Sequence, residues 1–325
     1  MIRVSIIIPV YNVENFICKT LKSCINQTFK DIEIIVVNDG STDNSELLIR
    51  QFADIDKRIV IINKSNEGLF RARHSGIEKA QGEFIFHLDG DDYIAENAIE
   101  ILYLCALQNK VDIVCSSLCL DKNTIIEYPG FRLKEGLCNS DTYLKTIIDG
   151  YSFNIVGKLI KKDLYDDFYY TLLPISIGED LFQTIQLSMK ANRIWSINEY
   201  LYYYVQRHSS IMNFSEIHVR AERELLCAMA IESLILNFSF TKDILDRLCF
   251  LSLNKICFYL RTEGEYGAYK CWIRKFIKNN YLTSVSTLLF VFNRNVKIFI
   301  MIFIQYLSPQ LACFFSNIFR PKKRC

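Results

Sequence analysis

Apolar and polar positions along the first 116 residues follow two alternating patterns. Short runs rich in β-branched residues predict buried strands at 4–8, 32–37, 59–62, 84–88 and 111–116. Between them, apolar residues at three- and four-residue spacing predict amphipathic helices at 15–26, 42–52, 69–80 and 95–108. Strands and helices in strict turn predict an α/β fold, because parallel strands need crossover connections and these cover both faces of the sheet.

The remainder of the chain has a weaker pattern. It loosens between residues 121 and 150, and a helical pattern resumes after Gly178. A polar and aromatic stretch covers 200–212, and long helices are predicted over 217–277. We therefore expect a mostly parallel, Rossmann-like sheet with helices on both faces, followed by a helical C-terminal region.

Composition agrees with a large globular protein. The chain has 325 residues, of which 50% are hydrophobic and 23% charged, which excludes an intrinsically disordered protein. The 12 cysteines are scattered, without paired Cys-x-x-Cys motifs. We expect them to be reduced thiols that pack as small apolar residues, not zinc ligands or a disulfide framework.

Charge separates the end of the chain from the rest. Residues 270–325, here called the basic tail, carry ten Lys or Arg and no Asp or Glu. Within this tail, 298–319 is an uncharged stretch of 22 residues, interrupted by Pro309 and flanked by basic residues on both sides. It could cross a bilayer, lie in an anionic membrane interface as a helix pair, or form a buried hairpin. The interfacial arrangement fits at least as well as a span, and the choice between them stays open. Nucleic acid is not expected as a partner, since phosphate binding does not require so many apolar residues.

Polar residues follow each of the first four predicted strands, at 9–12, 38–43, 63–68 and 89–92. Because these strands are predicted to be parallel, the four loops should meet at one edge of the sheet. The last of them, here called the carboxylate loop, consists of Asp89, Gly90, Asp91 and Asp92. Three neighbouring carboxylates repel each other unless a cation is present, and Gly90 would let a ligand approach the backbone. The loop predicts a Mg²⁺ or Mn²⁺ site, although Asp and Gly are also common in ordinary turns.

The four loops together resemble a known enzyme family. The blocks SIIIPVYN (5–12), VVNDGSTD (36–43), NEGLFRAR (66–73) and DGDD (89–92) resemble, in order and spacing, the family 2 glycosyltransferases. Three later blocks look like further motifs of these enzymes: KLI (158–160), GED (178–180) and YYVQRHSSIM (203–212). The resemblance covers residues 1–215, and it implies a GT-A domain there with a helical region at 216–325. It also implies a nucleotide-sugar donor, a divalent metal and inversion at the anomeric carbon.

Site residues follow from this resemblance by position. Pro9 and Tyr11 would line the base pocket with Glu14 nearby, while Asp39 would hold the base or ribose. Arg73 would lie near the diphosphate. Independently, a tyrosine beside a proline offers a flat face for stacking a base. Tyr11 could equally be a half-buried aromatic residue, and Asp39 an ordinary turn former.

The remaining roles concern the metal and the proton. By resemblance, Asp89 and Gly90 would contribute to donor binding, with Asp89 reaching the ribose and the metal's water shell and Asp91 ligating the metal directly. Asp180 would be the general base, with Glu179 as the alternative. His74 departs from the family, which usually has Asn at this position. The Gln-x-x-Arg-Trp signature of processive synthases is not present, so a non-processive enzyme is favoured.

These observations predict a metal-dependent glycosyltransferase of cell-surface polysaccharide synthesis. A UDP-sugar is the expected donor and a glycan, in particular a lipid-linked one, the expected acceptor. The basic tail predicts a peripheral or monotopic location at the cytoplasmic face of the cell membrane. Two alternatives stay open: a sugar nucleotidyltransferase, which should carry a Gly-rich basic loop after the first strand, and an inactive membrane-surface scaffold with the same fold.

Overall fold

The computed structural model describes residues 1–122, 125–127, 133–149, 153–168, 178–206 and 217–263. Within these residues, ten strands form one sheet in the order β3-β2-β1-β4-β9-β6-β10-β5, with β7 paired to β6 and β8 to β10. The strands are β1 Val4–Val10, β2 Ile32–Asp39, β3 Ile59–Lys64, β4 Phe84–His87, β5 Tyr93–Ile94, β6 Ile113–Lys122, β7 Ile125–Glu127, β8 Gly136–Cys138, β9 Lys158–Lys161 and β10 Ile194–Val205.

Helices pack around this sheet. In the first two hundred residues they are α1 Ile17–Ile25, α2 Ser45–Ile55, α3 Leu69–Lys79, α4 Ala98–Asn109, α5 Ser140–Ile148 and α6 Glu179–Lys190, with a short 3-10 turn at Lys162–Tyr165. Two long helices follow, α7 Ile217–Asn237 and α8 Lys242–Glu263. The α/β fold class is thus confirmed, and most of the paired residues lie in parallel ladders.

The first four strands are the parallel core. β1 pairs in parallel with both β2 and β4, and β2 pairs with β3. Every residue of β1 and β2 is buried, as expected of strands covered on both faces. Helix α3 packs closely on this core, because a Cβ on Gly76 would collide with the side chain of Ile7. The predicted strands and helices of this region are confirmed, with boundaries shifted by a few residues.

Five strands, β5 and β7 to β10, were not predicted, and β9 and β10 are the longest of them. β9 is antiparallel to β4 and β6 and lies between them. β10 occupies part of the region where a helical pattern was expected, and its pairing with β6 shifts register between Ser196 and Tyr200 and again between Tyr200 and Tyr202. Such irregularities break the period-two alternation by which strands are recognised in sequence.

The chain divides into two compact units. The first consists of Met1–Tyr170 and Gln183–Ser210, and the second of Thr171–Phe182 and Ile211–Cys325. In the second unit, α7 and α8 pack on each other, and the Ser252 hydroxyl of α8 donates to the Ala228 carbonyl oxygen of α7 at 3.3 Å. Ile231, Leu234 and Leu248 of these helices are buried. The predicted boundary after residue 215 stays a prediction.

Among the helices that the structure describes, none combines the length and the apolarity needed to span a bilayer. The uncharged stretch at 298–319 and the rest of the basic tail lie outside the described residues. The structure records eight free thiols, at Cys18, Cys24, Cys105, Cys115, Cys119, Cys138, Cys227 and Cys249.

Candidate active site

Three contacts bring the four polar loops together at the carboxyl edge of β1–β4. The Asn12 side chain accepts a hydrogen bond from the Thr42 N–H at 2.8 Å, which joins the loops after β1 and β2. The other two contacts are close approaches of glycines. Gly40 packs so tightly against the loop after β3 that an added Cβ would lie 2.8 Å from the Asn66 nitrogen, and an added Cβ on Gly90 would lie 2.8 Å from the Pro9 carbonyl oxygen. The predicted clustering of these loops is therefore confirmed.

The loop after β1 presents an aromatic ring to solvent. Pro9 is buried at the end of the strand, whereas Tyr11 is 49% exposed. Glu14 is half-buried, and its carboxylate accepts hydrogen bonds from the backbone and side-chain nitrogens of Asn44 at 2.9 and 2.8 Å. Glu14 therefore joins the loops after β1 and β2, and Tyr11 leaves its ring accessible for stacking.

Asp39, the last residue of β2, is 3% exposed. One carboxylate oxygen accepts the Glu67 N–H at 3.0 Å and the other accepts the Gly68 N–H at 2.8 Å. These bonds tie the loop after β3 to the end of β2, where Gly68 has a φ of +89°. Asp39 thus organises the backbone of this edge, and each of its oxygens retains a further lone pair for a ligand.

Arg73 extends from α3 to the carboxylate loop. Its guanidinium is buried, at 1% exposure, and donates to Asp89 Oδ1 at 2.8 Å, while the Asp89 side chain is 26% exposed. Burial makes a guanidinium dependent on its carboxylate partner. Arg73 therefore positions Asp89, as well as placing positive charge next to the acidic cluster.

The carboxylate loop is asymmetric in its burial. Asp92 is 1% exposed, whereas Asp89 and Asp91 are half-buried. Burial, followed by the charges of Asp91 and Asp89, raises the pKa of Asp92 well above its ordinary value. Asp89 and Asp91 are therefore the partly exposed carboxylates of the loop, and Asp92 is its buried anchor.

The carboxylate oxygens at this edge suit a hard divalent cation that takes its other ligands from bound phosphate and water. Asp91 and Asp89 offer carboxylate oxygens, which Mg²⁺ and Mn²⁺ prefer, at a partly exposed edge. Among the described residues, no group of three or more His, Cys, Asp or Glu side chains could enclose a metal by itself. The residues fit a cation that takes its remaining ligands from phosphate and water.

The candidate base lies at the start of α6. Glu179 and Asp180 both occupy the first turn of this helix and both are half-buried. The preceding Gly178 has a φ of +83°, and a Cβ there would collide with the Cys227 thiol of α7. Gly178 is thus required by its backbone conformation and by its close approach to α7. These residues belong to the second compact unit.

Sequence reasoning missed the groups that hold the carboxylate loop in place. Tyr202 of β10 is fully buried and bonds to both ends of the loop, and Thr20 of α1 donates to the Gly90 and Asp92 carbonyls at 3.0 and 2.7 Å. Tyr202 falls in the aromatic stretch at 200–212, which was the available signal. Of that stretch, residues 207–212, including Arg207 and His208, lie outside the described residues.

A second missed cluster surrounds Asp121, at the end of β6. Its Oδ2 accepts from Lys19 Nζ at 3.0 Å and from the Tyr93 hydroxyl at 2.9 Å. The Lys19 nitrogen lies 3.5 Å from the centre of the Tyr93 ring, which stacks on Tyr203 at 4.6 Å. Burial and then the hydrogen bond to Asp121 raise the pKa of Tyr93. This cluster stabilises the junction of β5, β6 and β10.

Comparison with solved structures identifies the fold. Residues 1–349 of S. aureus TarS, in complex with UDP-GlcNAc, superpose with a TM-score of 0.71 and 20% identity over 98% of this chain and 91% of that one. The mannosyltransferase PcManGT from Pyrobaculum calidifontis, in complex with GDP-Man and Mn²⁺, gives 0.56 and 15% over 98% and 87%. The fold is that of the GT-A glycosyltransferases.

Comparison of sequences identifies the family. Residues 5–147 match the model of glycosyl transferase family 2. The glycosyltransferase GlyA of Streptococcus pneumoniae serotype 4 is 31% identical over 229 residues, which are 64% of this chain and 31% of GlyA. The matched region is thus about a third of that relative's length. Residues 5–147 therefore form a family 2 glycosyltransferase domain.

Proposed function

We propose that this protein is a metal-dependent, inverting and non-processive glycosyltransferase that transfers one sugar from a UDP-sugar to a lipid-linked glycan. The observation that carries the proposal is the carboxylate loop, held beside Arg73 at the same edge as Tyr11 and Asp39. A nucleoside diphosphate combines an aromatic base, a ribose and a doubly charged pyrophosphate. A stacking ring, a polar edge and carboxylates that bind a cation are the groups it requires.

The donor would lie along the edge formed by the four loops. Tyr11 stacks on the base, next to Pro9 and Glu14, and Asp39 accepts a hydrogen bond from the base or ribose. Arg73 fixes Asp89, which would reach the ribose and help to hold the cation. The expected approach of a ligand at Gly90 is replaced by close packing, because the side of Gly90 that a Cβ would occupy faces the Pro9 carbonyl oxygen at 2.8 Å. A UDP-sugar is favoured because the TarS neighbour was solved with UDP-GlcNAc.

Asp91 and Asp89 would hold the cation, and Mn²⁺ is supported by the complex of the mannosyltransferase neighbour. When bound, such an ion neutralises charge that develops on the leaving diphosphate. Asp180 accepts the proton of the acceptor hydroxyl. At the same time the hydroxyl oxygen bonds to the anomeric carbon, and the bond from that carbon to the diphosphate breaks. This single displacement inverts the anomeric configuration. Glu179 is the alternative base.

The test is diphosphate release by the purified full chain. UDP-, GDP- and dTDP-sugars are offered with Mn²⁺ or with EDTA, and Asp91→Asn is compared with Asp54→Asn, which changes an exposed aspartate of α2. We expect Mn²⁺-dependent release that falls at least 100-fold in Asp91→Asn and is unchanged in Asp54→Asn. Release that persists in EDTA would refute metal dependence. Donor binding without release from any donor, with every acceptor tried, would favour the inactive scaffold.

The basic tail supports a membrane-bound acceptor. Its ten Lys or Arg and interspersed apolar residues are the composition of segments that bind anionic lipid, and an enzyme held there meets a lipid-linked acceptor at high local concentration. The protein should therefore sediment with vesicles of phosphatidylglycerol and not with vesicles of phosphatidylcholine. Replacing Arg320, Lys322, Lys323 and Arg324 by glutamine should weaken sedimentation while diphosphate release continues. Equal sedimentation with both lipids would refute electrostatic membrane binding at the cytoplasmic face.

A further inference from the structure

A single buried hydroxyl group connects the two ends of the carboxylate loop. The Tyr202 oxygen accepts the Asp89 N–H at 3.1 Å, and its own hydrogen is donated to Asp92 Oδ2 at 2.6 Å. The Tyr202 side chain is fully buried, and Asp92 is 1% exposed. The contact therefore lies away from solvent, between residues 110 positions apart in the chain.

The second oxygen of Asp92 is also engaged by β10. Asp92 Oδ1 accepts the Val205 N–H at 2.8 Å, so the carboxylate spans from the Tyr202 side chain to the backbone three residues later. On the other side of the loop, Thr20 donates to the Gly90 and Asp92 carbonyl oxygens. Asp91, the expected metal ligand, thus lies in a segment whose flanking residues are bonded to β10 and α1.

We propose that Tyr202 is a positioning residue for the cation site, and that its hydroxyl sets the spacing between Asp89 and Asp92 and so the orientation of Asp91. The inference rests on the proposed function, since it assigns Tyr202 a role toward the cation that Asp91 and Asp89 would bind. Groups that orient a metal ligand commonly change metal affinity by about 10- to 100-fold when they are removed. Tyr202 touches no substrate in this role and acts through the loop.

The chain offers a matched control for this hydroxyl. Tyr143 of α5 is also a fully buried tyrosine of the first unit, at 1% exposure, and its oxygen accepts a bond from the Cys115 thiol at 3.5 Å. Tyr143→Phe and Tyr202→Phe remove the same atom from equally buried rings. A general loss of packing or polarity would affect both variants, whereas a role in the cation site would affect only Tyr202→Phe.

The experiment measures coupling between Mn²⁺ and UDP by isothermal titration calorimetry on the full chain. UDP is titrated in EDTA and in Mn²⁺, because a cation that bridges the carboxylates and the diphosphate should raise UDP affinity, and by linkage UDP raises Mn²⁺ affinity by the same factor. We expect Tyr202→Phe to bind UDP in EDTA within about twofold of wild type, while the gain in UDP affinity on adding Mn²⁺ falls about tenfold. Tyr143→Phe should keep the wild-type gain.

The outcomes separate this inference from the proposed function. A wild-type protein whose UDP affinity does not respond to Mn²⁺ would overturn both. A wild-type response that Tyr202→Phe retains in full, or that Tyr143→Phe loses equally, would overturn the inference alone. If Tyr202→Phe does not fold, Thr20→Val removes another anchor of the same loop, and an undiminished Mn²⁺ response in that variant would likewise overturn it.

Discussion

The carboxylate of Asp39 provides a quantitative test of how the sheet edge is organised. It is 3% exposed, and its two oxygens accept the N–H groups of Glu67 and Gly68 at 3.0 and 2.8 Å. Asp39→Asn keeps the shape of the side chain but replaces one acceptor oxygen with an NH₂ group, which then faces a backbone N–H. The variant therefore loses one charge-assisted hydrogen bond and weakens the other.

The magnitude follows from these two bonds. A hydrogen bond to a charged group contributes about 1.5–3 kcal/mol, and a buried N–H left without its acceptor costs a similar amount. One bond lost and one weakened should therefore reduce the free energy of opening the Glu67–Gly68 loop by about 2 kcal/mol. This corresponds to a change of about 30-fold in the equilibrium constant. UDP affinity should fall as well, because the loop borders the proposed base and ribose site.

Amide hydrogen exchange measures this opening residue by residue. The Glu67 and Gly68 amides should exchange about 30-fold faster in Asp39→Asn than in wild type, and the urea midpoint should decrease. Asp54→Asn, at an exposed position of α2, should stay within about 0.5 kcal/mol of wild type. If both amides keep their wild-type exchange rates and the urea midpoint does not move, the carboxylate does not hold this loop and the reasoning is wrong.

Three further predictions address other contacts of the site. Burial raises the pKa of Asp43, but hydrogen bonds, first from Ser45, outweigh it and leave the pKa below its ordinary value. Its contribution to stability is complete above the unfolded pKa of about 4 and is lost as pH falls below it; Asp43→Asn should flatten the acid side of the urea-stability curve, and an unchanged slope would contradict this. Gly90→Ala should cost about 1–3 kcal/mol in thermal unfolding, since its Cβ would lie 2.8 Å from the Pro9 oxygen. Gly178→Ala, at a φ of +83°, should lower the free energy of urea unfolding by about 1–2 kcal/mol, and an equal urea midpoint would count against the left-handed conformation.

The parallel core and its polar edge could be predicted because they depend on local pattern. β1 to β3 are short runs rich in β-branched residues, and each is followed by a helix with three- and four-residue apolar spacing, whereas β4 is a short run of aromatic and apolar residues. Parallel pairing of such units places their terminal loops on one edge. The grouping of Asn12, Gly40 and Gly90 with neighbouring loops could therefore be expected before their contacts were known.

The later strands could not be predicted in the same way. β9 inserts between β4 and β6, which is a choice of neighbours made by long-range pairing and not by its own four residues. β10 contains register shifts on both sides of Tyr200, and these disrupt the alternation that marks a strand. Its assignment to the sheet thus became apparent only from its partner β6.

The functional residues also fall into a group set by local sequence and a group set by long-range packing. Sequence alone determined that Asp89, Asp91 and Asp92 would stand together at a strand end, because they are neighbours in the chain and follow an apolar run. Tertiary structure decided which carboxylate is buried, which one Arg73 engages, and that a tyrosine 110 positions away closes the loop. Burial and hydrogen-bond partners depend on which distant segments pack against a residue, and local periodicity carries no information about that choice.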